Sequence, residues 1–166
     1  MPSKCLQTAQ DYIAQFGSLD TVYLGTLLAE NYHHTFAPSS IPSLPGPFDK
    51  AGFLAHHSHL GDVMTGFPVT GKEYIENEAG NQVTVWATSE ACFRADVMGG
   101  EDVEKWRYSG EYVFMLWMDA SGEKIMRVIE FLDSKGTADV LMPMMRRARE
   151  NRAKLLAGGE ENKVAS

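Results

Sequence analysis

The sequence predicts an α+β domain: helices packed on a curved antiparallel sheet, followed by a C-terminal helix. Two observations carry that expectation. Apolar residues recur at helical spacing before Val69, whereas Val69 to Leu132 is rich in β-branched and aromatic residues separated by turn signals. The two textures are segregated along the chain rather than alternating, which is the pattern of α+β rather than α/β domains. At 166 residues the chain has the length of a single domain, placed at residues 1–157, with a polar tail at 158–166 that has nothing to bury and is expected to be disordered.

The first helix is expected from about Lys4 to Phe16, with Cys5, Leu6, Ala9, Tyr12, Ile13 and Phe16 on one stripe. Gly17 and Ser18 interrupt it, and a short second helix carries Val22, Leu24, Leu27 and Leu28. The stretch NYHHTFAPSSIPSLPGPFD holds four prolines and reads as an irregular connection. Asp49 is placed to cap a third helix, with Phe48 and Phe53 at staple positions, and Gly66-Phe67-Pro68 to end it. The strands are KEYIEN, QVTVWATSEACFR, WRYSGEYVFMLWMD and EKIMRVIEFLD, divided by EAGN, MGGED and DASG. A last helix runs from Lys135-Gly136 to about Leu156, with Pro143 near its start.

Composition narrows the function classes. A formal net charge of −7 argues against a nucleic-acid partner, which needs basic surface to displace counterions. Cys5 and Cys92 are too few for a disulfide framework and show no zinc spacing. The apolar run YVFMLWM is far too short to span a membrane, and the N-terminal residues alternate polar and apolar rather than forming a signal-peptide core. A soluble, cytoplasmic protein is expected, without a membrane partner.

One residue does not suit its surroundings. Glu130 stands between Ile129 and Phe131 in IMRVIEFLD, where a buried carboxylate costs several kcal/mol unless paired, hydrogen-bonded or protonated. Taking Ala120-Ser121-Gly122 as a three-residue hairpin loop pairs Asp119 with Glu123, Leu116 with Met126, Phe114 with Val128 and Tyr112 with Glu130. Tyr108 falls on the same face, with Gly110 between the two tyrosines. A loop one residue shorter would set Ile129 opposite Tyr112, one residue longer would set Phe131 there, and either would break the group. Pairing of Glu130 with a cation, or exposure on a one-sided sheet, is the structural alternative.

The five histidines, His33, His34, His56, His57 and His59, form two clusters whose spacing suits a metal badly, and no metal site is expected. His57 shares a stripe with Phe53 and Leu60, while His33 and His34 sit in the proline-bounded connection, where either could lean over a cavity. Glu90 and Arg94 read as one strand face, and the arginines of MRRAREN as a solvated helix face or a partner surface.

The segments FPVTGKEY, VTVWATSEACFRADV, YSGEYVFMLWMDASGEKIMRVIEFLDS and MRRAREN resemble the SnoaL-like proteins of fungal secondary-metabolite pathways, within the nuclear transport factor 2-like cone. That group includes isomerases and cyclases of meroterpenoid and indole-alkaloid biosynthesis. The resemblance implies a cofactor-free, metal-free pocket enzyme acting on a hydrophobic substrate, usually a homodimer joined through the sheet. Carried over position by position, it implies acid–base roles for Tyr108 and Tyr112 of YSGEY, Glu130 of VIEFLD and His34 of YHHTFAPSSI. Some relatives carry an arginine in the last of these segments, and TFAPSS has none.

A carboxylate with tyrosine hydroxyls beside it can move a proton while stabilising a developing oxyanion, the arrangement used by ketosteroid isomerase. Phe53, His57, Trp86, Phe114 and Met126 are the expected walls that would hold a flexible intermediate in one reactive shape. Two other classes use the same fold: a non-catalytic carrier for a hydrophobic metabolite, and an interaction module that dimerises or docks through its sheet.

Overall fold

The computed structural model describes residues 1–164, with side chains described through residue 159. Helix α1 (Lys4–Gln15) is capped by Ser3, whose hydroxyl accepts from the Leu6 amide. It buries Cys5, Thr8, Ala9, Tyr12 and Ile13, close to the stripe its sequence predicts. Helix α2 (Thr21–Leu27) starts at Asp20, whose carboxylate accepts from two amides of the first turn. Helix α3 (Lys50–Leu60) starts at Asp49, which accepts from Gly52 at 2.8 Å. Phe48 and Phe53 meet across that cap with ring centroids 6.3 Å apart, as the staple pattern requires.

The strands are β1 (Leu28–Ala37), β2 (Phe48–Asp49), β3 (Met64–Gly66), β4 (Val69–Asn77), β5 (Gln82–Glu90), β6 (Cys92–Phe93), β7 (Ser109–Met118) and β8 (Ile125–Leu132). Among the described residues, six of them form one sheet in the order β2-β1-β8-β7-β5-β4, while β3 and β6 pair separately. The α+β class is as expected, with one difference in the sheet. The segment NYHHTFA is not an irregular connection but most of β1, a ten-residue strand that pairs parallel with β8. The sheet is therefore mixed. The four prolines all follow this strand, so they bound it rather than break it.

The hairpin between β7 and β8 also differs from the simple count. The Asp119 amide donates to the Lys124 carbonyl at 2.8 Å, closing a loop one residue longer than expected, with Gly122 at φ +74°. Met118 then lies opposite Ile125, and a bulge follows that sets Trp117 opposite Arg127. Loop and bulge each shift the register by one residue, and together they restore the parity of the faces. Phe114, not Tyr112, stands opposite Glu130, and Tyr112 stands opposite Leu132. Tyr112 and Glu130 still share a face as diagonal neighbours.

That inward face is apolar apart from the site: Val83, Val85, Ala87, Phe114, Leu116, Val128 and Leu132 are all buried against α1 and the other helices. After β8 comes a single helical turn, α4 (Ser134–Gly136), a π-helical segment at Thr137–Leu141, and then α5 (Met142–Val164). Pro143 is the second residue of α5, directly after the π-helical segment. The final helix continues beyond Leu156 to Val164. The expected disordered tail at 158–166 thus begins inside that helix and ends outside the described residues.

Candidate functional site

The inward faces of β7 and β8, helix α3, the π-helical segment and α5 enclose a cavity of about 1020 Å³. That is at the upper end of small-molecule sites, roughly 300–1,000 Å³. Phe16, Phe53, His57, Tyr112, Glu130 and Leu132 line its buried part.

Glu130 is 6% exposed and reaches this cavity from β8. Its Oε2 lies 3.3 Å from Nε2 of His34. The contact is off the N–H axis, and Nε2 has no linear hydrogen-bond acceptor. His34 is fully buried because β1 alternates: Tyr32, His34 and Phe36 turn inward, while His33 is exposed. The strand pairing, invisible when the segment is read as a loop, thus settles which of the two histidines is inside.

The His34 ring stacks on Phe53, with centroids 4.1 Å apart and planes 17° from parallel. Its Nδ1 lies 2.8 Å from the Tyr32 hydroxyl, which is 3.5 Å from that of Tyr12. When Tyr32 donates to Nδ1, the ring N–H is the one on Nε2, on the side of Glu130 but off the line to its carboxylate. Burial holds the Tyr12 and Tyr32 phenols well above their usual range, so both stay protonated as links in this chain.

Tyr112 lines the cavity, and its hydroxyl is 3.0 Å from that of Tyr108. Gly110 makes this possible. A Cβ at that position would come within 2.8 Å of the Tyr112 hydroxyl and closer still to that of Tyr108. Burial, and then the neighbouring Tyr108, push the Tyr112 phenol far above its usual range, so it remains an O–H donor.

Of the expected walls, Phe53 and His57 line the cavity. Phe114 is buried in the layer behind, 6.0 Å from the Tyr112 ring and 5.9 Å from Phe16. Tyr108 likewise stands behind Tyr112 and does not line the cavity. Two expectations are corrected. Trp86 projects from the other face of the sheet, 42% exposed beneath the Lys72 ammonium. Met126 is the extra residue of the β8 bulge and is turned off the cavity face. Both errors are parity errors: Trp86 lies opposite Val113, not Tyr112, and the bulge consumes Met126. Glu90 and Arg94 do not share a strand face either, since the chain leaves β5 at Ala91 and Arg94 pairs with Asp96 at 3.2 Å.

Tyr32, Tyr12, His56 and Thr137 stand at the site without having been among the residues expected there. The period-two run Tyr32-His34-Phe36 was the signal available for the first of these. His56 stacks on Phe48 at 5.0 Å and also lines the cavity. Burial pushes His56 and His57 down to about 4, with neighbouring histidines adding to it. Both rings are therefore neutral at pH 7. Thr137 is buried in the π-helical segment, with its hydroxyl unpartnered at the cavity wall. Such segments recur at functional sites. Among the described residues, no group of three or more His, Cys, Asp or Glu side chains is placed to hold a metal ion. Nor is any described helix long and apolar enough to cross a membrane.

A helix-covered, curved mixed sheet around one cavity is the nuclear transport factor 2-like fold, the architecture that the sequence resemblance implied. An ntf2-like protein of unknown function from Burkholderia pseudomallei superposes with a TM-score of 0.65 at 16% identity, over 84% of this chain and 98% of its own. Two fungal structures share the fold. AusH from Aspergillus nidulans has a TM-score of 0.65 at 23% identity, over 80% of this chain and 88% of its own. The BvnE pinacolase from Penicillium brevicompactum has a TM-score of 0.70 at 18% identity, over 89% and 96%. No protein-family model matches the sequence, and no curated protein matches it.

Proposed function

We propose that the protein is a cofactor-independent acid–base enzyme, an isomerase or cyclase that rearranges or closes a hydrophobic polycyclic intermediate of secondary metabolism. The observation that carries this is Glu130: a carboxylate buried at an apolar cavity wall, 3.3 Å from His34. Such placement is costly for folding and useful for proton transfer. The fold shared with a pinacolase supports the class of chemistry.

In this reading Glu130 takes a proton from a substrate carbon or hydroxyl. Tyr112 donates its O–H to the oxygen that gains negative charge, and Tyr108 positions Tyr112 from behind. Glu130 then delivers a proton, exchanged with solvent through the open end of the cavity, at a second atom, so the substrate is isomerised without net gain or loss. His34, tied to Tyr32, orients the carboxylate and supplies a second proton site where ring closure or dehydration needs one. Phe53, His57 and Leu132 hold the apolar body in place.

Pairing of two copies through the outward sheet face belongs to the same proposal. Trp86, Val113 and Phe131 lie in register across β5, β7 and β8 there, and Trp86 and Phe131 are exposed. Sedimentation equilibrium tests it directly: a monomer at micromolar concentration would refute the pairing.

The test of function supplies wild-type and Glu130→Gln protein, without added cofactor or metal, with extract from a strain lacking this gene. A new isomeric or dehydrated product with wild type alone supports the enzyme. Retention of an unchanged metabolite by both proteins would replace it with a carrier.

A further inference from the structure

The cavity is not apolar throughout, and its exposed end has a chemistry of its own. Helix α5 turns Met142, Met145, Arg146, Arg149 and Leu156 toward it. Arg146 and Arg149 differ from the other arginines of the chain. Among the described residues, Arg94, Arg107, Arg147 and Arg152 each have a carboxylate within 3.6 Å. Arg127 lies over the Trp117 ring at 4.5 Å. Only Arg146 and Arg149 have neither a carboxylate nor a ring, and both line the cavity.

An ordinary solvated helix face explains this poorly. On a chain of net charge −7, carboxylates are abundant, and the neighbouring Arg152 has found one in Asp62 at 3.6 Å. The one unpaired carboxylate beside them is Glu150, which also lines the cavity. Two guanidiniums against one carboxylate leave a single positive charge at this end, with His56 neutral. A single excess charge suits a monoanion rather than a diphosphate. The planar guanidinium fork suits a carboxylate in particular.

We infer that the substrate is a polycyclic carboxylic acid, bound with its carboxylate at Arg146 and Arg149 and its apolar rings toward Glu130. The inference rests on the acid–base reading above, because it assumes that the cavity is where the substrate binds. It also fixes polarity of entry. A substrate carboxylate driven inward would meet the buried Glu130, and like charges at low dielectric repel strongly. Held at the arginines, the acid group sets which ring atom reaches Glu130, so Arg146 and Arg149 become specificity-determining residues.

The test uses 1-pyrenebutyrate and its methyl ester, two fluorescent polycyclic ligands that differ in one charge, titrated into wild type and an Arg146→Gln/Arg149→Gln double variant. Both arginines are exposed, so the variant keeps the fold, and its circular dichroism checks this. Wild type should bind the acid roughly tenfold or more tightly than the ester, the scale expected of a charge-assisted contact. The double variant should lose that preference while its ester affinity stays within about twofold. Equal affinities in wild type, or a preference for the acid that survives in the variant, would overturn the inference and leave the acid–base reading standing. Failure of both ligands to bind would count against the cavity as a polycycle site, and so against both.

Discussion

Replacing Gly110 by alanine should separate the two tyrosines of YSGEY without touching the cavity directly. Its Cβ would come within 2.8 Å of the Tyr112 hydroxyl and nearer to that of Tyr108, so the rings must swing apart. The lost hydrogen bond costs about 1 kcal/mol. Displacement of two buried rings adds about 1–3 kcal/mol. The reduced freedom of the unfolded chain returns about 0.4–1 kcal/mol. The net expectation is a destabilisation of about 1–3.6 kcal/mol, measured as a shift in urea midpoint at constant slope. The control is Gly25→Ala in helix α2, whose Cβ would meet only Leu54, at 3.6 Å. There the helix propensity gain of about 1 kcal/mol should raise stability. Gly110→Ala matching Gly25→Ala in sign would refute the claim that glycine is needed to seat the tyrosine pair.

Other expectations follow from single residues. Removing the α3 cap with Asp49→Ala should cost about 1 kcal/mol in urea unfolding, because the Gly52 amide loses its acceptor; an unchanged midpoint would deny the cap. His56 and His57 have their pKa lowered from 6.5 to about 4 in the folded protein, so the unfolded chain binds more protons between those values. Stability should therefore fall as pH drops from about 6.5 toward 4, and His57→Gln should flatten that fall. A pH profile with the same slope in the variant would contradict the assignment. Thr137→Val removes an unpartnered buried hydroxyl and should stabilise the protein by about 1 kcal/mol in thermal unfolding. A loss of stability would mean that the hydroxyl has a partner.

Much of this architecture is legible in the sequence because period and capping are local. The α1 stripe, the Asp49 cap with its Phe48–Phe53 staple, and the alternation in β5, β7 and β8 all follow from residues a few positions apart. The errors are those that local reading cannot avoid. Strand β1 was hidden because its sheet partner, β8, lies some ninety residues away and its polar positions resemble a loop. The longer turn and the β8 bulge each shift the register by one residue in the same direction, so Tyr112 and Glu130 share a face as diagonal neighbours rather than through the pairing expected. Met126 was lost to that bulge, and Trp86 to a face assignment that only the β5–β7 register decides. Glu130 itself was visible as a charge in an apolar run. Its link through His34 to Tyr32 and Tyr12 joins three separate elements, and no spacing announces it.

Proton movement by Glu130 is the step on which the proposed chemistry depends. The most direct measurement follows the product made in deuterium oxide by wild type and by Glu130→Gln, with ligand retention by the variant confirmed separately. Wild type should deliver a product carrying solvent deuterium at the rearranged position, while the variant binds the same metabolite and yields no product. Turnover with undiminished deuterium incorporation in Glu130→Gln would contradict the central claim, leaving the carboxylate a structural or recognition group.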